Sequence, residues 1–150
     1  MIRPFSLRDL DDLLQIEQQS FPKSPYDWGT FVNLHFLYPG TFLVYVDNTG
    51  QKKKAQILGY MVFTKEGHIL SIAVHPLHRR KGIGKELLQR AMLSPHMQRV
   101  WAEVRRSNEG AQAFYFRLGF QVTEVVPNYY GNEDGLVVQW TCPGLRKDGT

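Results

Sequence analysis

One segment constrains the fold more than any other. From His68 to Val74 the chain is apolar and β-branched. It then passes through Arg79-Arg80-Lys81-Gly82-Ile83-Gly84 and enters a helix with apolar positions Ile83, Leu87, Leu88, Ala91 and Met92. A strand that runs through a basic glycine turn into an amphipathic helix needs a layered α/β arrangement, because the strand and the helix each have an apolar side to bury. The turn is also chemically suggestive. A helix start offers unpaired backbone N–H groups and the positive end of the helix dipole. Glycines let that backbone come close to an anion, and three cationic side chains stand at the same place. A pyrophosphate would suit the site; a tight turn with a solvated basic face would explain the same residues. The pattern is not the dinucleotide fingerprint, which needs a third glycine, and it lacks the Gly-Lys-Ser/Thr of a phosphate-binding P-loop.

The rest of the chain supplies the frame. Ile2 to Leu7 reads as a strand and Asp9 to Ser20 as a helix, with Leu10, Leu13, Leu14 and Ile16 near helical spacing. Phe21 to Pro25 contains two prolines and must be irregular. A second helix spans Asp27 to Leu37 and stops at Pro39-Gly40. Strands follow at Thr41 to Val46, Ile57 to Thr64 and His68 to Val74, the first two joined through turn chemistry at Asp47-Asn48-Thr49-Gly50. Past the glycine helix, Val100 to Arg105 reads as a strand. Ser107-Asn108 caps a helix carrying Ala111, Phe114, Tyr115 and Leu118 on one face, with Gly119 as its stop. Phe120 to Val126 and Leu136 to Thr141 are the last strands. The order βααβββαβαββ predicts an α/β protein: a mixed, mostly antiparallel sheet of about seven strands with flanking helices.

Bulk properties narrow the class. With 150 residues and no linker or repeat, a single domain over residues 1–150 is expected. Apolar content of 43% and charged content of 21% are those of a soluble globular protein. The net charge of +4 is compatible with an anionic ligand and too small for a nucleic-acid footprint. One cysteine, Cys142, excludes an internal disulfide and a cysteine-built zinc site, and the five histidines show no metal-ligand spacing. No apolar run reaches membrane-spanning length and no signal pattern opens the chain, so a cytoplasmic location is the expectation. Nothing in the sequence reports the oligomeric state.

The stretch His68-Ile69-Leu70-Ser71-Ile72-Ala73-Val74-His75-Pro76, followed by Arg79-x-x-Gly82-x-Gly84, resembles the central motif of the GNAT superfamily of N-acetyltransferases, in which Arg/Gln-x-x-Gly-x-Gly/Ala follows a strand. The remainder agrees: Asn108, Ala111, Ala113, Phe114-Tyr115, Leu118-Gly119-Phe120 and Asn128-Tyr129-Tyr130 stand in the family's order. Within the superfamily the set is most similar to the ribosomal-protein alanine enzymes and the archaeal and eukaryotic protein N-α-acetyltransferases. The resemblance implies the GNAT fold and acetyl-CoA as cosubstrate, without a metal. It implies that acetyl-CoA lies where the strand ending near Val74 splays from the strand Val100 to Arg105. Backbone groups of Ile72, Ala73 and Val74 would pair with the acetyl carbonyl and pantetheine. Arg79 opens the motif, and backbone N–H groups across Arg80, Lys81, Gly82, Ile83, Gly84 and Lys85 would hold the pyrophosphate. Asn108 would also contact the cofactor.

Acyl transfer to an amine needs a neutral nucleophile, a stabilised oxyanion and a protonated leaving thiolate. An α-amino group has a pKa of about 8, so roughly a tenth is neutral at pH 7, whereas a lysine at about 10.4 is several hundredfold worse off. A modest base suffices for a protein N-terminus. Glu103 is the candidate. Strand alternation puts Trp101, Glu103 and Arg105 on one face. A carboxylate there either lines a wet cleft or pairs with Arg105 or Arg106 to organise structure; the family resemblance favours the base, acting directly or through water. Tyr115 lies on an apolar helix stripe, where a tyrosine is ordinarily core, and it matches the family's tyrosine acid for the coenzyme A thiolate. His68 and His75 flank the strand, and either is a base at neutral pH. Glu17 on the first helix is a fallback carboxylate that a solvated helix face explains.

The acceptor regions rest on the resemblance. Tyr129 and Tyr130 match a loop that holds the peptide backbone, and Phe21-Pro22 matches the loop that cradles the first acceptor residues. Lys23 stands where some eukaryotic catalytic subunits carry a glutamate, which loads the base role onto Glu103. The expected acceptor is a protein or peptide N-terminus, with a ribosomal protein among the candidates. The alternatives are a small-molecule amine or lysine side chain as acceptor, or a non-catalytic coenzyme A sensor or nucleic-acid-binding module, the last disfavoured by the small net charge.

Overall fold

The computed structural model describes residues 1–47 and 55–144. The turn expected at Asn48-Thr49-Gly50 lies outside them. Seven strands and four helices follow in the expected order: β1 (Ile2–Pro4), α1 (Leu10–Ser20), α2 (Trp28–Leu37), β2 (Phe42–Asp47), β3 (Gln56–Phe63), β4 (Ile69–Val74), α3 (Ile83–Met92), β5 (Arg99–Arg105), α4 (Glu109–Arg117), β6 (Gln121–Val126) and β7 (Gly135–Thr141). They form a four-stranded sheet in the order β1-β2-β3-β4 and a three-stranded sheet in the order β5-β7-β6. β2 pairs antiparallel with β1 and β3, and β7 pairs antiparallel with β5 and β6. Among the described residues, a parallel bridge joins His68 to Trp101.

Local chemistry sets the ends of these elements. β1 stops at Pro4, short of the expected Leu7, because Ser6 begins a 3-10 turn over Leu7–Asp9. The Asp9 carboxylate accepts from the Ser6 N–H and bidentately from Arg3 at 2.8 and 2.9 Å, and these charge-assisted bonds hold its pKa below the ordinary carboxyl range. Asp27 caps α2 through a 2.8 Å bond from the Thr30 N–H. Asn108 caps α4 in the same way, accepting from the Ala111 N–H at 3.0 Å.

The chain divides into two compact units. The first contains Met1–Lys65 and Leu70–Arg90. Its core joins Leu13 and Ile16 of α1, Phe31 of α2, Phe42 and Val44 of β2 and Tyr60 of β3, all nearly or fully buried. Each such apolar side chain contributes about 1.5–3 kcal/mol of burial free energy. In α3, Ile83, Leu87, Leu88 and Ala91 are buried, as the apolar stripe requires, and Ile83 and Leu87 lie over Gly59 of β3. The second unit contains Glu66–Ile69 and Ala91–Thr150. It buries Val100, Ala102 and Val104 of β5 with Tyr115, Phe120 and Val138. Among the described residues no helix is long and apolar enough to cross a membrane.

Candidate active site

In the first unit, β4 is the edge strand of its sheet. Among the described residues, one side of its backbone at Ile72, Ala73 and Val74 has no strand partner in that sheet, an edge to which an extended ligand can pair. A 3-10 turn at Pro76–His78 leads from β4 to the glycine loop. The imidazole of His75 accepts from the Leu77 N–H at 3.1 Å, so His75 serves as a turn cap. Arg79 reaches back: its Nε donates to the Val74 carbonyl and its guanidinium to Ser20 Oγ, both at 3.2 Å. Arg80, at φ 65°, and Gly82, at φ 82°, turn the chain into α3. The left-handed conformation at Gly82 favours glycine. A Cβ there would meet no protein atom within 4 Å, so the space in front of the loop is open. Ile83, Gly84 and Lys85 form the first turn of α3, whose earliest N–H groups have no intrahelical acceptor. Open backbone, a helix start and the cations Arg80, Lys81 and Lys85 fit the diphosphate of a coenzyme A molecule.

In the second unit, β5 shows the expected alternation, with Val100, Ala102 and Val104 buried and Trp101, Glu103 and Arg105 partly exposed. Glu103 meets the imidazole of His68, with both of its oxygens on Nε2 at 2.8 and 2.7 Å. The imidazole stacks on Trp101 with ring centroids 5.2 Å apart, and the Arg99 guanidinium lies 4.9 Å from the same indole. His68 is placed by Gly67, whose carbonyl accepts from the Trp101 N–H at 3.0 Å. Gly67 has φ 109°, and a Cβ on it would stand 2.0 Å from the Arg99 carbonyl oxygen. Thus the histidine reaches Glu103 because the residue before it is glycine.

Tyr115 is buried, with ring neighbours Phe114 and Phe120. Burial first, and then the charge of Glu103, push its phenol well above the ordinary pKa. Tyr130 is pushed up to about 12, mainly by burial. Its ring receives the Arg105 guanidinium at 4.3 Å, and it stands edge-on to Tyr129 at 4.9 Å. Glu133 fixes this loop by accepting from Arg105, from the Ser107 N–H and from Ser107 Oγ at 3.0–3.1 Å. Arg105 pairs with Glu133 and Arg106 with Asp134, both in the β6–β7 loop. Asn108 Oδ1 caps α4, and its Nδ2 is the side chain's donor.

The acceptor candidates Phe21 and Pro22 differ in setting. Phe21 packs on the core of the first unit, and Pro22 is exposed. Glu17 requires a correction. It is 2% exposed, not on a solvated face. Its Oε1 accepts from the Tyr26 N–H at 3.0 Å, and its Oε2 accepts from the Tyr60 hydroxyl. Burial pushes its carboxyl above the usual range. The available signal was its position four residues after Leu13, one turn along the apolar stripe.

An edge strand leading through an open glycine loop into a helix is an arrangement suited to a phosphate-bearing cosubstrate. Residues 10–120 match the model of the acetyltransferase (GNAT) family, and the chain belongs to that family; its acyl donor is acetyl-CoA. It is 36% identical over 139 residues to an uncharacterised N-acetyltransferase of Methanocaldococcus jannaschii, covering 90% of this chain and 85% of the relative. It is 30% identical over 157 residues to an N-alpha-acetyltransferase of Sulfurisphaera tokodaii, covering 91% and 90%. Among solved structures it is similar to Ard1 from Thermoplasma volcanium, with a TM-score of 0.83, 29% identity and coverage of 94% and 96%.

Proposed function

We propose that this acetyltransferase moves the acetyl group of acetyl-CoA directly onto the α-amino group of a protein N-terminus, with Glu103 as general base and Tyr115 as acid. The observation that carries the reading is the two-oxygen contact of Glu103 with His68 on the partly exposed face of β5. Between them the carboxylate and the second ring nitrogen of the imidazole offer an acceptor for a proton. That is the capacity needed when an amine attacks a thioester and must lose a proton. An α-amine is partly neutral at pH 7, so a base of ordinary strength serves.

Ile72, Ala73 and Val74 pair with the acetyl and pantetheine groups through the free edge of β4. The loop from Arg79 to Lys85 holds the diphosphate, and Asn108 adds a donor. As the C–S bond breaks, charge develops on sulfur. Burial keeps Tyr115 protonated, the form an acid needs, and also makes it a reluctant acid. Hydrogen-bond donation to the thiolate therefore precedes proton transfer. Tyr129 and Tyr130, held by Arg105 and Glu133, grip the acceptor backbone, and Phe21-Pro22 shapes the pocket for its first side chain. The relative named N-alpha-acetyltransferase supports the choice of acceptor. Ribosomal-protein termini belong among the acceptors, and cytoplasmic action fits them.

The test is mass spectrometry of reactions with peptides varied at residues one and two, alongside free lysine, lysine-containing peptides with blocked N-termini, and small amines. Acetylation of free peptide N-termini is expected. Turnover confined to side-chain or small amines overturns the assignment. Replacement of Gly82 by Glu should abolish acetyl-CoA binding, by adding charge and strain at the open loop; retained binding removes the loop from the phosphate site.

A further inference from the structure

Glu17, Tyr60 and Ser71 form a continuous hydrogen-bonded chain within the first unit. Glu17 and Tyr60 are buried, and Tyr60 is fully so. Ser71, on β4, is half-buried and lies 2.7 Å from the Tyr60 hydroxyl. Tyr26 donates its N–H to Glu17 Oε1 and its hydroxyl to the Leu70 carbonyl, at 3.0 and 3.1 Å. Leu13, Ile16, Phe31 and Phe42 of the same core are apolar. No mechanistic step above uses the chain, yet it ends one residue before Ile72 on the free-edged strand. Phe21 packs on the same core.

Proton counting fixes how the chain behaves. Tyr60 has one hydroxyl proton and two partners. Because Tyr26 holds Oε1 as an acceptor, any carboxyl proton of Glu17 resides on Oε2. With Glu17 ionised, Tyr60 must donate to it, Ser71 must donate to Tyr60, and the Ser71 oxygen offers lone pairs outward. With Glu17 protonated, the order can reverse, so that Tyr60 donates to Ser71 and the Ser71 proton points outward. A glutamine at position 17 must keep its oxygen toward Tyr26. Its Nε2 then donates to Tyr60, which locks the reversed order.

We propose that Ser71 Oγ hydrogen-bonds a backbone group of the acceptor peptide, and that Glu17 is a positioning residue which sets, through Tyr60, whether that hydroxyl accepts or donates. The proposal rests on the N-terminal reading above and goes beyond it by naming a specificity residue. Ser71 is the half-buried end of an otherwise buried relay, and its preference for a peptide N–H or C=O is decided at Glu17.

The experiment measures KM and kcat for an acetylated peptide, and KM for acetyl-CoA, in wild type, Ser71→Ala, Glu17→Gln, Tyr60→Phe and the double variants, from acid to alkaline pH. Thermal melts check that each variant folds. Ser71→Ala should raise the peptide KM by roughly 3- to 10-fold, the worth of one hydrogen bond, and leave the acetyl-CoA KM unchanged. Wild type and Glu17→Gln should diverge in peptide KM as pH rises. That divergence should vanish when either Ser71→Ala or Tyr60→Phe is present. A merely structural Glu17 would give effects that multiply with those of Ser71→Ala, and this outcome overturns the proposal. So does a peptide KM that Ser71→Ala leaves unchanged; the N-terminal reading then still stands if wild type acetylates the peptide. If wild type acetylates small amines and no peptide, the N-terminal reading fails and this proposal fails with it.

Discussion

Glu103 and Glu17 are the same side chain in opposite settings. Glu103 stands on the partly exposed face of β5, its side chain 19% accessible, with both oxygens on an imidazole. Glu17 is nearly sealed, with a phenol on one oxygen and a backbone N–H on the other. The partner determines what each carboxylate can do. An imidazole has a second ring nitrogen that can take a proton, whereas a phenol has a single hydroxyl. The Tyr60 phenol, pushed far above its ordinary pKa by burial and by Glu17, exchanges no proton near neutrality. Its bond to Glu17 can transmit direction but cannot consume an amine proton. Burial alone thus does not set what a carboxylate can do: the two differ in the group each one meets.

The sharpest way to break this contrast is Glu103→Gln. It should lower kcat by about 1,000-fold, within the range for a lost general base, and spare acetyl-CoA affinity, as read by steady-state kinetics and calorimetry. If Glu17→Gln lowers kcat as much as Glu103→Gln does, the contrast is wrong. Next in size is Gly67→Ala. The new Cβ would fall on the Arg99 carbonyl, at a backbone angle unfavourable to L side chains. A loss of about 3 kcal/mol in denaturant unfolding is expected, with kcat reduced because His68 is displaced. Unchanged stability would show that the approach of Gly67 to Arg99 is not needed to seat His68. Tyr60→Phe should cost about 2 kcal/mol, since it strips a buried carboxylate oxygen of its donor. A Tyr60→Phe protein as stable as wild type would mean that Glu17 has other means of satisfaction.

The difference between the two glutamates was only half legible in the sequence. Element order was accessible because its signals are local: Pro39-Gly40 and Gly119 stop helices, Asp27 and Asn108 cap them, and apolar spacing separates helix from strand. The glycine loop and the alternation of β5 followed from the same short-range rules. The partners of the carboxylates did not. His68 and Glu103 are 35 residues apart, and Glu17 and Tyr60 are 43 apart. Both pairings are made by tertiary packing that no local pattern encodes. Arg105, the nearest cation in sequence, is drawn to Glu133 and Tyr130 by the β6–β7 loop. For Glu17 a local clue did exist, since Leu13 and Ile16 place it on the buried stripe. Its polarity argued for solvent, and the Tyr60 and Tyr26 donors that allow its burial come from distant segments.

The smallest effect separates the two glutamates by pH. Burial raises the Glu17 pKa above its unfolded value of about 4.3, and bonds from Tyr60 and the Tyr26 N–H oppose this only in part. Well below that value both states carry the proton. As pH rises past it, the unfolded chain ionises while the folded protein keeps its proton, so the unfolded state gains and stability falls. The loss ends once pH passes the raised folded pKa. Glutamine at position 17 has no such proton, and all other titrations are common to both proteins. Stability of Glu17→Gln relative to wild type should therefore increase with pH above the ordinary carboxyl range, by up to about 1.4 kcal/mol per pH unit, and then level off. Urea melts of both proteins across the acid-to-neutral range measure this difference. A flat difference would mean that Glu17 titrates alike in both states. One that falls with pH would mean that Tyr60 and Tyr26 stabilise the buried carboxylate beyond what burial takes away. Glu17 would then be a permanent anion, the relay would keep one direction, and Ser71 would present an acceptor at every pH.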